Sequence, residues 1–128
     1  MNEREGCWFT EPAQKLLDDY LKNNKPCVFE FGMGTSTLYF KDKCCYLMSV
    51  EHDEEWYEKI SKQFPLNGDF LLLHVNRPYN TILDMHTDLI YDIIIIDGRD
   101  RVKCIQSSIT RLKHGSWLIL DNSEREYY

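Results

Sequence analysis

Between positions 28 and 37 the chain reads Val-Phe-Glu-Phe-Gly-Met-Gly-Thr-Ser-Thr, a bulky apolar run that meets two glycines and then three hydroxyl residues. Gly32 and Gly34 remove side chains where a backbone must turn tightly and let something approach closely. Thr35 and Ser36 bring capping hydroxyls to a helix start, whose first N–H groups have no partner inside the helix. A strand, a glycine turn and a helix in that order make the ligand loop of a doubly wound α/β sheet. Acidic residues close the later apolar runs as well: Glu51-His52 after 46–50, Asp97 after 91–96, and Asp121-Asn122 after 117–120. In open α/β sheets these strand ends face the ligand. Glu51 stands 19 residues beyond Gly32, close to the spacing at which a carboxylate accepts hydrogen bonds from ribose hydroxyls.

The loop also excludes some ligands. A dinucleotide fingerprint needs a third glycine three residues after the second, and Thr37 stands there. No Gly-Lys-Ser/Thr follows, so a phosphate-cradling P-loop is ruled out. Glu30, two residues before Gly32, sets a negative charge beside the turn, which suits a ligand carrying a cationic amine better than a pyrophosphate.

The elements that must position these residues can be read from periodicity. Ala13, Leu16, Leu17, Tyr20 and Leu21 recur at helical spacing, predicting a helix over about 12–22. Strands are expected at 27–31, 46–50, 69–75, 91–96 and 117–120, and a short helix over 36–41. Glu54 and Glu55 open a further helix whose apolar face is Trp56, Ile60 and Phe64. Residues 76–88 read as a loop. The last helix takes Val102, Ile105, Ile109 and Leu112 as its inner face, with Gly115 as its C-terminal cap. Strands alternating with helices, and apolar on both faces, predict a parallel sheet covered on both sides. A single domain over 1–128 is expected, with its core at 27–122.

The net charge of −6 without a Lys/Arg cluster argues against wrapping nucleic acid. No apolar run approaches membrane-spanning length, and the charged N-terminus lacks the apolar stretch of a secretory signal. Five cysteines without a Cys-x-x-Cys spacing read as reduced thiols of a cytoplasmic protein. No second feature gives the vicinal pair Cys44 and Cys45 a redox role. His74 and His114 lack partners at metal-ligand spacing and read as structural.

The run from Glu30 to Ser36 resembles the acidic-x-Gly-x-Gly-x-Ser motif of class I S-adenosylmethionine-dependent methyltransferases. Glu51 is similar to their ribose-binding residue, YDIIIIDG at 91–98 to their fourth-strand motif, and HGSWLILDN at 114–122 to their fifth. The resemblance implies a three-layer Rossmann-like α/β fold of about five mostly parallel strands. It places Glu30, Gly32, Gly34, Thr35 and Ser36 at the methionine part of the cofactor, Glu51 at the ribose and His52 near the adenine. Asp97, Asp121 and Asn122 resemble the Mg²⁺ or Ca²⁺ ligands of cation-dependent O-methyltransferases of the catechol and caffeoyl-coenzyme A types. Hard oxygen donors suit such a cation, which would orient a substrate hydroxyl and lower its pKa. Those enzymes carry a lysine shortly after the first metal aspartate, whereas Asp97 is followed by Gly98-Arg99-Asp100-Arg101, with Lys103 the nearest lysine. Asp97 read without a metal is a cofactor or polar substrate contact. Arg99 and Arg101 are either anion-recognising forks or solvated residues at a helix start.

The implied activity is methyl transfer to an oxygen or nitrogen of a small-molecule acceptor, with no catalytic residue singled out. The alternatives are a non-catalytic cofactor-binding protein or partner subunit and, more remotely, a nicotinamide-dependent oxidoreductase. The two strands with which the family usually continues its sheet are not in the sequence. The fifth strand is therefore expected to be an exposed edge, and such edges invite pairing with another chain. A homo-oligomer through that edge should show a sedimentation coefficient that rises with concentration; a monomer at all concentrations excludes it.

Overall fold

The computed structural model describes residues 11–65, 69–75, 90–96, 101–109 and 111–120. In chain order the elements are α1 (Glu11–Leu21), β1 (Cys27–Phe31), α2 (Thr35–Phe40), β2 (Tyr46–Glu51), α3 (Glu54–Ser61), β3 (Phe70–His74), β4 (Tyr91–Ile96), α4 (Arg101–Ile109) and β5 (Leu112–Leu120). All four strand pairings are parallel, in the order β3-β2-β1-β4-β5. The chain runs outward from β1 through β2 to β3, then returns to the other side of β1 for β4 and β5. The order reverses between β1 and β4, and a crevice opens at such a reversal beyond the strands' carboxyl ends.

Two apolar layers cover the sheet. Val28, Leu47, Ile93 and Ile95 face a cluster with Leu17 of α1, Tyr39 and Phe40 of α2, and Ile60 of α3. Phe29, Phe31, Met48, Val50, Tyr91, Ile94 and Ile96 face the other way, toward Cys104 and Ile105 of α4. The period-2 alternation of a strand distributes successive residues between the two layers, which is why β1 and β4 carry apolar residues on both faces. Each fully buried Phe, Leu or Ile contributes about 1.5–3 kcal/mol. On α1 the helical stripe is narrower than its periodicity suggests. Leu17 is buried, Ala13, Tyr20 and Leu21 pack partly against the core, and Leu16 is 63% exposed. Tyr20 stacks on Trp117 with ring centroids 5.1 Å apart, and Tyr39 donates its hydroxyl to Asp18, tying α2 to α1. At the far end of the sheet the Cys27 N–H donates to Asp92 Oδ2 at 2.9 Å, which gives the one carboxylate in β4 its partner. No helix among the described residues is long and apolar enough to cross a membrane.

The last helix and strand correct the expectation. α4 ends at Ile109, which is 64% exposed; Ile105 packs inward as expected, joined by Cys104 and Ser108, and the Val102 side chain lies outside the described residues. Ser108 is tolerated in the core because its hydroxyl donates to the Cys104 carbonyl at 2.6 Å. Leu112 and Gly115 belong to β5, which begins five residues earlier than predicted. Gly115 is not a helix cap. Tyr91 pairs with Leu112 and Ile93 with Trp117, so two residues' advance on β4 spans five on β5, and Gly115, at φ +81°, lies in that bulge. β3 also differs: its apolar run is half-buried throughout, because β3 is an outer strand. The predicted loop at 76–88 lies outside the described residues.

Among the described residues a Cβ at Gly115 meets nothing within 4 Å, and the left-handed backbone is what resists substitution there. Gly115→Ala should lower stability by about 1–2 kcal/mol, read in urea as a lower midpoint at unchanged slope. An unchanged midpoint would show that the bulge does not need a positive φ.

Candidate functional site

β1 delivers Glu30 to the face covered by α1, α2 and α3, among apolar neighbours and with no solvent exposure. A buried carboxyl is costly unless hydrogen-bonded, and this one is met by hydroxyls from two other elements. Ser49, its register partner on β2, donates to Glu30 Oε1 at 2.8 Å. Ser36 donates to Oε2 and Thr37 to Oε1, both from the first turn of α2. All three hydroxyl residues are buried. The carboxyl thereby joins β1, β2 and α2 directly beneath the glycine turn, where the positive end of a helix also favours it.

The turn itself has defined partners. Gly32, at φ +96°, continues the β1–β2 ladder by donating to the Val50 carbonyl at 2.8 Å. The Met33 N–H donates to Glu51 Oε1 at 2.9 Å. The Gly34 N–H donates to Thr37 Oγ1 at 2.9 Å. A hydroxyl has one proton and two lone pairs, so Thr37 gives its proton to Glu30 and accepts from Gly34, half of a capping box. Gly34 needs no special freedom: its backbone is extended at φ −179°, and a Cβ there would meet nothing within 4 Å among the described residues. Its missing side chain leaves open space beside the turn.

Glu51 ends β2 almost fully buried. Besides Met33 it accepts the Asp53 N–H at Oε2, 2.9 Å away, and His52 Nδ1 lies 3.3 Å from the same oxygen. Asp53 caps α3 by accepting the Trp56 N–H at 3.0 Å, and the Trp56 indole N–H donates to the Met33 carbonyl. His74, read from the sequence as structural because it lacks partners at metal-ligand spacing, ends β3 opposite Glu51 in register. Its Nε2 donates to the His52 carbonyl at 3.0 Å, and its ring lies 5.8 Å from Tyr57.

The structure therefore brings Glu30, Gly32, Gly34, Ser36, Glu51 and His52 together at the ends of β1 and β2. Glu30 and Ser36, expected against a ligand, are bonded to each other below the turn. The side chain of Thr35 and the whole of Asp97, Asp121 and Asn122 lie outside the described residues. Among the described residues no group of three His, Cys, Asp or Glu side chains is placed to hold a metal. Sequence reasoning passed over Thr37, Ser49 and Asp53 as site residues, and took Trp56 for a core residue. A hydroxyl where a third glycine belongs, and an Asp-x-x-Trp directly after the strand-end acid, are the signals that carried them.

At the opposite end of the sheet lie Cys27, Cys44 and Cys45, which with Cys104 of α4 are free thiols among the described residues. Burial, reinforced by Cys45, Cys27 and Asp69, pushes the Cys44 thiol up to about 12. A thiol rather than a thiolate at neutral pH is a poor nucleophile, and this holds for Cys44.

A parallel five-stranded sheet with a glycine turn ending its central strand and a carboxylate ending the next is a Rossmann-like α/β fold. Solved structures agree. A precorrin 8W decarboxylase from Methanobacterium thermoautotrophicum superposes with a TM-score of 0.67 at 14% identity, over 88% of this chain and 62% of that one. The glycopeptide N-methyltransferase MtfA, complexed with S-adenosyl-L-homocysteine, superposes with a TM-score of 0.59 at 17% identity, over 98% of this chain and 57% of that one. This chain spans less than two thirds of either structure, and at these identities the likeness is one of fold. No family profile matches the sequence, and no curated protein sequence matches it significantly.

Thr37→Val keeps the shape but leaves the buried Glu30 carboxyl and the Gly34 N–H each short of a partner. It should cost about 1–3 kcal/mol in urea unfolding, while Thr37→Ser, which retains the hydroxyl, should recover most of the loss. Equal stability of Val and Thr at this position would remove the proposed role of the hydroxyl.

Proposed function

We propose that this chain binds S-adenosylmethionine at the end of β1 and transfers its methyl group to an oxygen or nitrogen of a small-molecule acceptor. The observation that carries this reading is the state of the turn's donors. The Met33 and Gly34 N–H groups, which a pyrophosphate would need, already donate to Glu51 and Thr37. Two buried acids, Glu30 and Glu51, flank the turn. The surroundings are poor for a polyanion and good for a ligand with cationic sulfonium and amine groups. Fold alone does not choose the chemistry, since one structural neighbour is a decarboxylase and the other an N-methyltransferase.

The residues present fit this cofactor. The open side of Gly34 admits its methionine part close to the backbone. Glu51 Oε1 keeps acceptor capacity beyond the Met33 N–H it receives and would take a ribose hydroxyl. His52, about a third exposed beside Glu51, is placed to bound the adenine. Glu30, Ser36 and Thr37 hold the turn from beneath. When bound, the cofactor supplies an activated methyl whose S–C bond electrons leave with sulfur as the acceptor's lone pair forms the new bond. The protein's part is alignment of acceptor and methyl in a fixed line, the effect called proximity and orientation.

Calorimetry should show S-adenosylhomocysteine binding in the micromolar range and no NAD binding; the reverse, or neither ligand binding at high micromolar concentration, refutes the reading. Gly34→Val should abolish S-adenosylhomocysteine binding while leaving the melting temperature within a few degrees of wild type. Turnover across hydroxyl and amine acceptors separates an enzyme from a non-catalytic binder. Repeating it with chelator, then Mg²⁺ or Ca²⁺, decides whether Asp97, Asp121 and Asn122 use a cation.

A further inference from the structure

Met33, between the two glycines, is held at both of its main-chain polar atoms by one short segment. Its N–H donates to Glu51 Oε1 at 2.9 Å, and its carbonyl accepts the Trp56 indole N–H. Its side chain is 1% exposed, in the core. The main-chain ladder between β1 and β2 ends one residue earlier, with Gly32 donating to Val50. Beyond that point the Met33 N–H and carbonyl are met by side chains, Glu51 at the end of β2 and Trp56 on α3.

Trp56 is itself fixed for this task. Its N–H donates to the Asp53 cap at 3.0 Å, and the Asp53 N–H returns to Glu51 Oε2 at 2.9 Å. The Lys59 ammonium lies 5.0 Å from the ring centroid on the same helix, within cation–π range. Glu51, Asp53 and Trp56 thus form a single hydrogen-bonded unit closed on Met33. A tryptophan needed only for packing would fill its volume in the core equally well without an N–H aimed at the carbonyl of a ligand turn.

We infer that Trp56 is a positioning residue: its indole N–H, together with the Glu51 carboxylate, holds the Met33 peptide so that the turn keeps the open side of Gly34 in place. The inference deepens the cofactor reading above and rests on it for its functional meaning. Under that reading Glu51 serves ribose and turn at once, so the adenosine and methionine ends of the ligand are placed by one connected segment.

The test replaces Trp56 by β-(3-benzothienyl)alanine, a near-isosteric ring with sulfur where the N–H was, and in parallel by Phe. In the ligand-free protein, amide hydrogen exchange followed by NMR should accelerate at least several-fold at Met33 and Gly34 in the isostere. Phe29 and Ile94, in the sheet's interior, should exchange as in wild type. Unchanged exchange at the turn, or equal acceleration everywhere, overturns the inference, since a purely structural ring gives one or the other. Calorimetry with S-adenosylhomocysteine should then show a dissociation constant raised about 3- to 10-fold in the isostere, the range expected for one lost hydrogen bond; equal affinity overturns the positioning role. If wild type does not bind S-adenosylhomocysteine at all, the cofactor reading falls, while the exchange measurement still decides whether Trp56 holds the turn.

Discussion

A carboxyl group with no access to water has to be answered by donors, and the arrangement around Glu30 follows from that requirement. Its side chain points into an otherwise apolar layer, so Ser36, Thr37 and Ser49 must be drawn to it from α2 and β2. Those three contacts fix where α2 starts, how β2 sits against β1, and hence the course of the backbone between Phe31 and Thr35. Removing the acid and its hydroxyls together would leave a more apolar layer but take away the contacts that hold the turn from beneath. This is the sense in which a buried polar cluster specifies a conformation even where it adds little net stability.

The two glycines of the turn do different things. Gly32 is required by its own backbone, at φ +96°. Gly34 adopts an extended conformation open to any residue, so its lack of a side chain matters only for what lies beside it. A sequence motif treats the two as equivalent, and only the dihedral angles separate the glycine that makes the turn from the glycine that leaves room. Between them Met33 is buried and bonded at both polar atoms, an anchor rather than a spacer.

Much of the fold was legible because its central strands obey one simple rule. β1 and β4 are apolar on both faces and end abruptly, so 27–31 and 91–96 coincide with the observed strands. The end of the chain was less legible for an equally physical reason. A glycine after a helix-like stretch is either a C-terminal cap or a bulge in a strand, and both use a positive φ; only the pairing with β4 shows Gly115 to be the second. In the site, the glycine turn and the strand-end acid Glu51 could be read from type and spacing. The inward aim of Glu30 could not, because it depends on Ser49 being its neighbour, and strand register is a tertiary fact. Trp56 shares the helical stripe with Ile60, and periodicity cannot tell a ring that packs from a ring that also donates.

The described contacts that shape the turn all fall between Glu30 and Trp56. Those on Met33 bridge 18 and 23 residues, whereas the bond from Cys27 to Asp92 across the sheet bridges 65. The entropy lost in closing a loop grows with the logarithm of its length, and long-range pairings are the slow part of building a sheet. The turn therefore belongs to the most local portion of the architecture, a β–α–β–α stretch whose contacts carry a smaller entropic cost than those that recruit β4 and β5. Chain connectivity alone makes it the region with the least topological delay.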